Sequence, residues 1–163
     1  YCFRWKLCDI MSDTSDLLLL GGSEHLCRYF RFKGSKIGRN VCLYPTGADP
    51  AMPEPDLATI GDGACINYAH VIAHTNTLGA FALNNILIRE RATLCMESRV
   101  MGGTSVGADS ILLEHTLAMV GDEVERGSIW QGWPVQMVLA EPRQKNASNK
   151  ENTPNKNNTY GAL

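Results

Sequence analysis

The chain has 163 residues, 44% of them hydrophobic and 20% charged, and a formal net charge of −2. That length suits one domain with a real core, and the slightly acidic balance excludes the basic face that nucleic-acid binding needs. No apolar run reaches the ~20 residues of a membrane span, and Leu17 to Leu20 is too short for a signal-peptide core.

At the start of the chain Tyr1, Phe3, Trp5 and Leu7 alternate with Cys2, Arg4 and Lys6, as in a strand or the remnant of a preceding element. The first residue is Tyr1 rather than Met, so a fragment of a longer protein, or a processed product, is expected. Asp13 to Asp16 reads as a turn or a helix start. From Ser23 to Lys33 the pattern becomes helical. Ser23 is a candidate cap, Leu26, Tyr29 and Phe30 share a face, and Gly34 is placed to stop the helix. Two roles fit this N-terminal segment, residues 1–36: a cover over an open sheet end, or a basic amphipathic element lying on an anionic membrane surface.

The stretch that organises the rest is periodic. Every sixth residue from Ile88 onward is apolar: Leu94, Val100, Val106, Leu112, Ala118, Val124 and Trp130. Four places after each stands a residue that is nearly always small: Ala92, Ser98, Thr104, Ser110, Thr116, Asp122, Ser128 and Pro134. An α-helix of period 3.6 does not fit this spacing, whereas hexapeptide repeats build a parallel β-helix whose coils bury a core only by stacking. Gly102, Gly103, Gly107, Gly121 and Gly127 fall near the corners, where positive φ or close backbone approach is needed. The repeats open at Ile37 and extend to residue 138. Two stretches break the register: the proline-rich 48–57, and 78–87. Such insertions project from one face of a solenoid, often the binding face. The polar tail, 139–163, has almost nothing to bury and reads as disordered; its Asn146-Ala-Ser and Asn157-Asn-Thr match the glycosylation pattern without structural context. The six cysteines have irregular spacing and no C-x-x-C pair, which suits reduced thiols in a cytoplasmic protein.

Ile60-Gly-Asp-Gly-Ala, Val106-Gly-Ala-Asp-Ser and the terminal Gly132-Trp-Pro resemble the hexapeptide-repeat transferases. That resemblance implies an all-β, left-handed parallel β-helix, a homo-trimer, and acyl transfer from a donor held between neighbouring coils. Ile37-Gly-Arg-Asn-Val-Cys-Leu-Tyr-Pro-Thr-Gly, Pro55-Asp-Leu, Ala73-His74, Leu113-Glu-His-Thr-Leu and Gly127-Ser-Ile-Trp-Gln-Gly-Trp-Pro also resemble the C-terminal region of nonribosomal-peptide-synthetase-like enzymes, the group of polylysine synthetase. This second likeness implies adenylation and carrier domains as partners, membrane-surface association through parts absent here, and a phosphopantetheine or CoA thioester as donor, with no tightly bound cofactor. Arg89-Glu90 departs from the repeat at one corner, where glycine and a polar residue are usual.

Acyl transfer to an amine or hydroxyl needs a general base and donors for an oxyanion, and histidine titrates in the right range. His74, at the mouth of the second insertion, and His115, inside a regular repeat, are the candidate bases. His25 reads as surface and His70 as corner packing. Asp56 and Asn76 are candidate orienting groups; Asn76, Glu114, Trp130 and Trp133 are candidate substrate contacts, the two tryptophans reading equally as a lid on the last coil. His70, His74 and His115 together pose a zinc alternative, three imidazoles suiting a catalytic ion, although the expected assignment holds no metal. No phosphate loop, nucleophile elbow or Cys–His pair is present. The rival to a transferase is a non-catalytic β-helix that scaffolds or oligomerises a larger synthetase.

Overall fold

The computed structural model describes residues 17, 19–46 and 52–140. The alternating segment before residue 8, the turn at Asp13–Asp16, residues 47–51 of the proline loop and everything from 141 onward lie outside the described residues, the two glycosylation-like motifs included.

Short strands stack into three parallel sheets. The first contains Lys36–Ile37, Ala58–Ile60, Ile86–Ile88, Ser105–Val106 and Glu123–Val124, in that spatial order. The second contains Cys42–Leu43, Cys65–Ile66, Thr93–Leu94, Ile111–Leu112 and Ser128–Gln131. The third contains only His70–Ile72, Arg99–Met101 and Leu117–Ala118. The chain visits the sheets in turn, so Ile88, Val106 and Val124 lie in register, as do Leu94, Leu112 and Trp130.

The apolar register points inward as expected. Ile88, Leu94, Val100, Val106, Leu112 and Ala118 are fully buried, Val124 nearly so, and Trp130 at the end of the stack is half-buried. Each such side chain contributes about 1.5–3 kcal/mol by leaving water. The small-residue register is buried too, except at Asp122 and Pro134, and its hydroxyls explain its chemistry: Ser98, Ser110 and Ser128 each donate to the carbonyl three residues back. A third register emerges one residue earlier. Arg91, Glu97, Gly103, Asp109, His115, Gly121 and Gly127 all have positive φ, between 54° and 89°. Turning the chain every sixth residue requires this left-handed conformation, and non-glycine residues accept it here. The Arg89-Glu90 corner holds the same course, with Arg89 N–H donating to Val106 O at 3.0 Å.

Helix α1, Glu24–Phe32, covers the first coil. Leu26, Cys27 and Phe30 are its buried residues, while Tyr29 is only half-buried. Ser23 does not cap it; its hydroxyl donates instead to Leu20 O at 2.6 Å. Arg31 donates to Ile37 O and Gly38 O, tying the helix end to the first strand. The apolar face is therefore used on the coil and not offered to a membrane, which corrects the second of the two expected roles. Among the described residues no helix is long and apolar enough to cross a bilayer.

The coil is interrupted twice. Between Leu43 and Ala58, where later coils pass through the third sheet, the chain runs through the proline segment and a single 3-10 turn at Pro55–Leu57. The second insertion is an antiparallel hairpin, His74–Thr77 with Ala80–Leu83, and the coil resumes at Ile86. At the far end Gln136–Ala140 folds back antiparallel on Ser128–Gln131.

Candidate functional site around His74 and Glu54

Among the described residues no strand precedes His70–Ile72 in the third sheet, and the buried N–H of Ala73 just beyond it bonds to a side chain. Glu54 supplies it. This side chain is almost wholly buried, at 3% exposure, and its Oε2 accepts the Ala73 N–H at 3.1 Å. Its other oxygen, Oε1, lies 2.6 Å from Nδ1 of His74. A buried carboxylate with two hydrogen bonds is thus built from the proline segment and the first residue of the hairpin. Phe81, which faces Asn76 across that hairpin, stacks on the His74 ring with centroids 5.7 Å apart and planes at 19°.

In the neutral tautomer whose Nδ1–H donates to this carboxylate, the lone pair is on Nε2, which is the arrangement a general base requires. His74 keeps partial solvent contact, at 28% side-chain exposure. It lines an open pocket of about 470 Å³ together with Thr75, Asn76, Thr77, Arg99, Met119 and Trp133, over a floor of Ile72, Met101 and Leu117. The floor is the outer face of the third sheet, where Arg99 stands opposite His70 and Met101 opposite Ile72. The Arg99 guanidinium sits 5.5 Å from the centre of the Trp133 ring.

The remaining sequence candidates are spread apart. Asn76 and Trp133 share the pocket with His74. His115 does not: it is the exposed positive-φ corner of its hexapeptide, φ 54°, and its N–H donates to Met96 O. Glu114 is exposed beside it. Trp130 ends the second sheet, its indole N–H donating to Ser128 Oγ, and does not line the pocket. His25 is exposed, and His70 pairs with Glu97 at 3.6 Å. Among the described residues no three metal-ligating side chains gather, so the zinc alternative has no site there. The carboxylate that meets His74 Nδ1 is that of Glu54, a residue the sequence reading did not single out. Only its place in the first insertion hinted at it, since both insertions meet at one corner of the fold.

Three of the four described thiols, Cys27, Cys65 and Cys95, are raised by burial. Cys42 and Cys65 are register partners on the second sheet, and burial, then the adjacent Cys42, pushes the Cys65 thiol up to about 11. Thiols raised in this way are poor nucleophiles near neutrality.

No protein-family profile matches the chain. It is 32% identical over 143 residues to delta-poly-L-ornithine synthetase of Acinetobacter baumannii, an alignment covering 83% of this chain and 10% of that protein. The chain thus spans about a tenth of the length of that curated relative. Among solved structures, the hexapeptide-repeat acetyltransferase of Vibrio cholerae superposes with a TM-score of 0.57 at 14% identity, covering 84% of this chain and 86% of that one. The same enzyme with acetyl coenzyme A bound gives 0.56, at 14% identity and coverages of 78% and 84%. A maltose O-acetyltransferase from Clostridium difficile gives 0.52, at 9% identity and coverages of 72% and 75%. At these identities the structures speak for the fold, and they agree with the three-sheet coil and the repeat signature: the chain has the β-helix fold of the hexapeptide-repeat acetyltransferases.

Proposed function

We propose that this chain is an acyl- or aminoacyl-transferring domain in which His74, oriented by Glu54, is the general base. The observation that carries the reading is the 2.6 Å contact between a buried carboxylate and a half-exposed imidazole at the edge of an open pocket. In the reaction, a neutral amine or hydroxyl acceptor attacks the carbonyl of a coenzyme A or phosphopantetheine thioester. The new C–N or C–O bond forms as His74 Nε2 takes the acceptor's proton. The C–S bond then breaks, and the departing thiolate regains that proton. Asn76 is the side-chain donor placed to stabilise the oxyanion. Attack is direct, because no activated nucleophile lies among the lining residues.

The coil is read with the left hand of the hexapeptide-repeat transferases and as a homo-trimer. Exposed Phe81, Met119, Val120 and Trp133 around the pocket support contact with a neighbouring copy. The synthetase likeness supports a place at the end of a nonribosomal-peptide-synthetase-like enzyme, receiving its thioester from that enzyme's carrier domain.

The test is thiol release from acetyl coenzyme A and from acetyl-pantetheine with a panel of amines, alongside calorimetric binding of both donors. Acceptor-dependent release that falls at least a hundredfold in His74→Ala supports the reading. A folded protein that binds neither donor, or a His74→Ala variant that turns over normally, overturns it and leaves a β-helix scaffold.

A further inference from the structure

Arg99 holds the permanent charge of the pocket. The other lining residues are His74, polar Thr75, Asn76 and Thr77, and apolar side chains; no carboxylate is among them. Arg99 is half-buried as a residue, and its guanidinium lies over the face of Trp133. Among the described residues no Asp or Glu comes within ion-pair distance of it, whereas Arg31, Arg39, Arg91 and Arg126 each pair with a carboxylate. Half-burying an arginine costs solvation that a carboxylate partner ordinarily offsets. Its fork is shaped for a planar oxyanion held through two parallel N–H bonds.

From this geometry we infer that the pocket takes a substrate bearing a carboxylate, and that Arg99 binds it. The inference rests on the acyl-transfer reading of the same pocket. A monoanion fits better than a phosphate ester, because one cation over a floor of Ile72, Met101 and Leu117 balances one charge, whereas a phosphate brings about −1.5 to −2. The spacing is informative. Arg99 stands opposite His70, and His74 lies four residues further along, at most about 13 Å at ~3.3 Å per residue. The long arginine side chain closes part of that gap. The substrate therefore carries its carboxylate several bonds from the reacting atom, on either the acceptor amine or the acyl group of the donor.

Two matched pairs of probes separate those sources by calorimetry on the intact chain: 6-aminohexanoate against 6-aminohexanamide for an acceptor, and succinyl-CoA against butyryl-CoA for a donor. In at least one pair the carboxylate binds tenfold or more tighter. Arg99→Gln erases that preference, and Arg99→Lys retains part of it. Equal affinity within both pairs overturns the inference, as does a preference that survives Arg99→Gln. Equal weakening of both CoA thioesters in Arg99→Gln also overturns it, because Arg99 then grips the phosphates common to both. An Arg99-dependent carboxylate preference without any acyl transfer refutes the transferase reading alone; transfer that ignores Arg99 and the carboxylate refutes this inference alone.

Discussion

Glu54→Gln is the substitution that most directly probes the site. The carboxylate accepts two hydrogen bonds while 3% exposed. Glutamine keeps one carbonyl oxygen for the Ala73 N–H but places an NH2 against Nδ1 of His74. Two donors cannot face each other, so the imidazole moves its proton to Nε2, and the lone pair now points at the amide. Nε2 can then no longer take a proton from an acceptor. A positioned general base is worth about 10²–10⁴ in rate, or about 2.7–5.4 kcal/mol at 1.36 kcal/mol per decade, and Glu54→Gln should lose most of it. The stability cost is smaller. Both charge-assisted bonds become neutral, about 1–3 kcal/mol in all. Glu54→Ala, by contrast, strands the buried Ala73 N–H and removes both bonds, costing about 2–5 kcal/mol. Long-range 1H–15N spectra of 15N-histidine-labelled protein report the tautomer directly, urea titration reports stability, and thiol release reports rate. A Glu54→Gln protein that keeps the wild-type His74 tautomer, or transfers acyl groups at the wild-type rate, refutes the reasoning.

Three further predictions address the scaffold. A Cβ on Gly102 would lie 2.3 Å from Ala73 O, so Gly102→Ala should cost about 1–3 kcal/mol by overpacking and shift His74 resonances next door; unchanged urea midpoint and spectra would show the coils can slide apart freely. Hydrogen bonds from Arg91, then Arg126, hold the Asp109 carboxyl below its usual range. A depressed carboxylate stabilises the fold above its unfolded pKa of about 3.9 and loses that contribution as pH falls through the folded value. Asp109→Asn, which keeps a residue tolerant of φ 60°, should therefore flatten the acid limb of stability against pH, and an unaltered limb contradicts the assignment. Cys65, with its thiol pushed up to about 11, should react with iodoacetamide at pH 8 on the order of a hundredfold more slowly in the folded than in the urea-unfolded chain, followed by mass spectrometry of its peptide; equal rates would contradict the burial of that thiol beside Cys42.

Much of the fold was legible without coordinates because a hexapeptide coil is nearly one-dimensional. Each repeat meets the same environment as its neighbours, so the apolar register at Leu94, Val100 and Val106 and the small register at Ser98, Thr104 and Ser110 recur at fixed spacing. The corner register of Arg91, Glu97, Asp109 and His115 was not legible. Only Gly103, Gly121 and Gly127 mark that register by composition; at the other corners the side chains are exposed or half-buried and differ in type, so the constraint lies in φ alone. This is why His115, a corner residue, stood as a candidate beside His74.

The site itself belongs to the tertiary structure. The sequence determined that two insertions leave the coil and that His74 stands at the mouth of one of them. It did not determine that Glu54, twenty residues earlier, would be buried beneath that histidine. In that pairing one glutamate from the proline segment meets both the buried Ala73 N–H and the His74 ring, contacts that no periodic rule sets. Likewise Arg99 and Trp133 are unrelated in the repeat pattern and meet only because the last turn folds back over the face of the third sheet. Periodic burial is a local rule that a sequence repeats, whereas a site depends on where the repeat is broken and on which distant groups the breaks bring together.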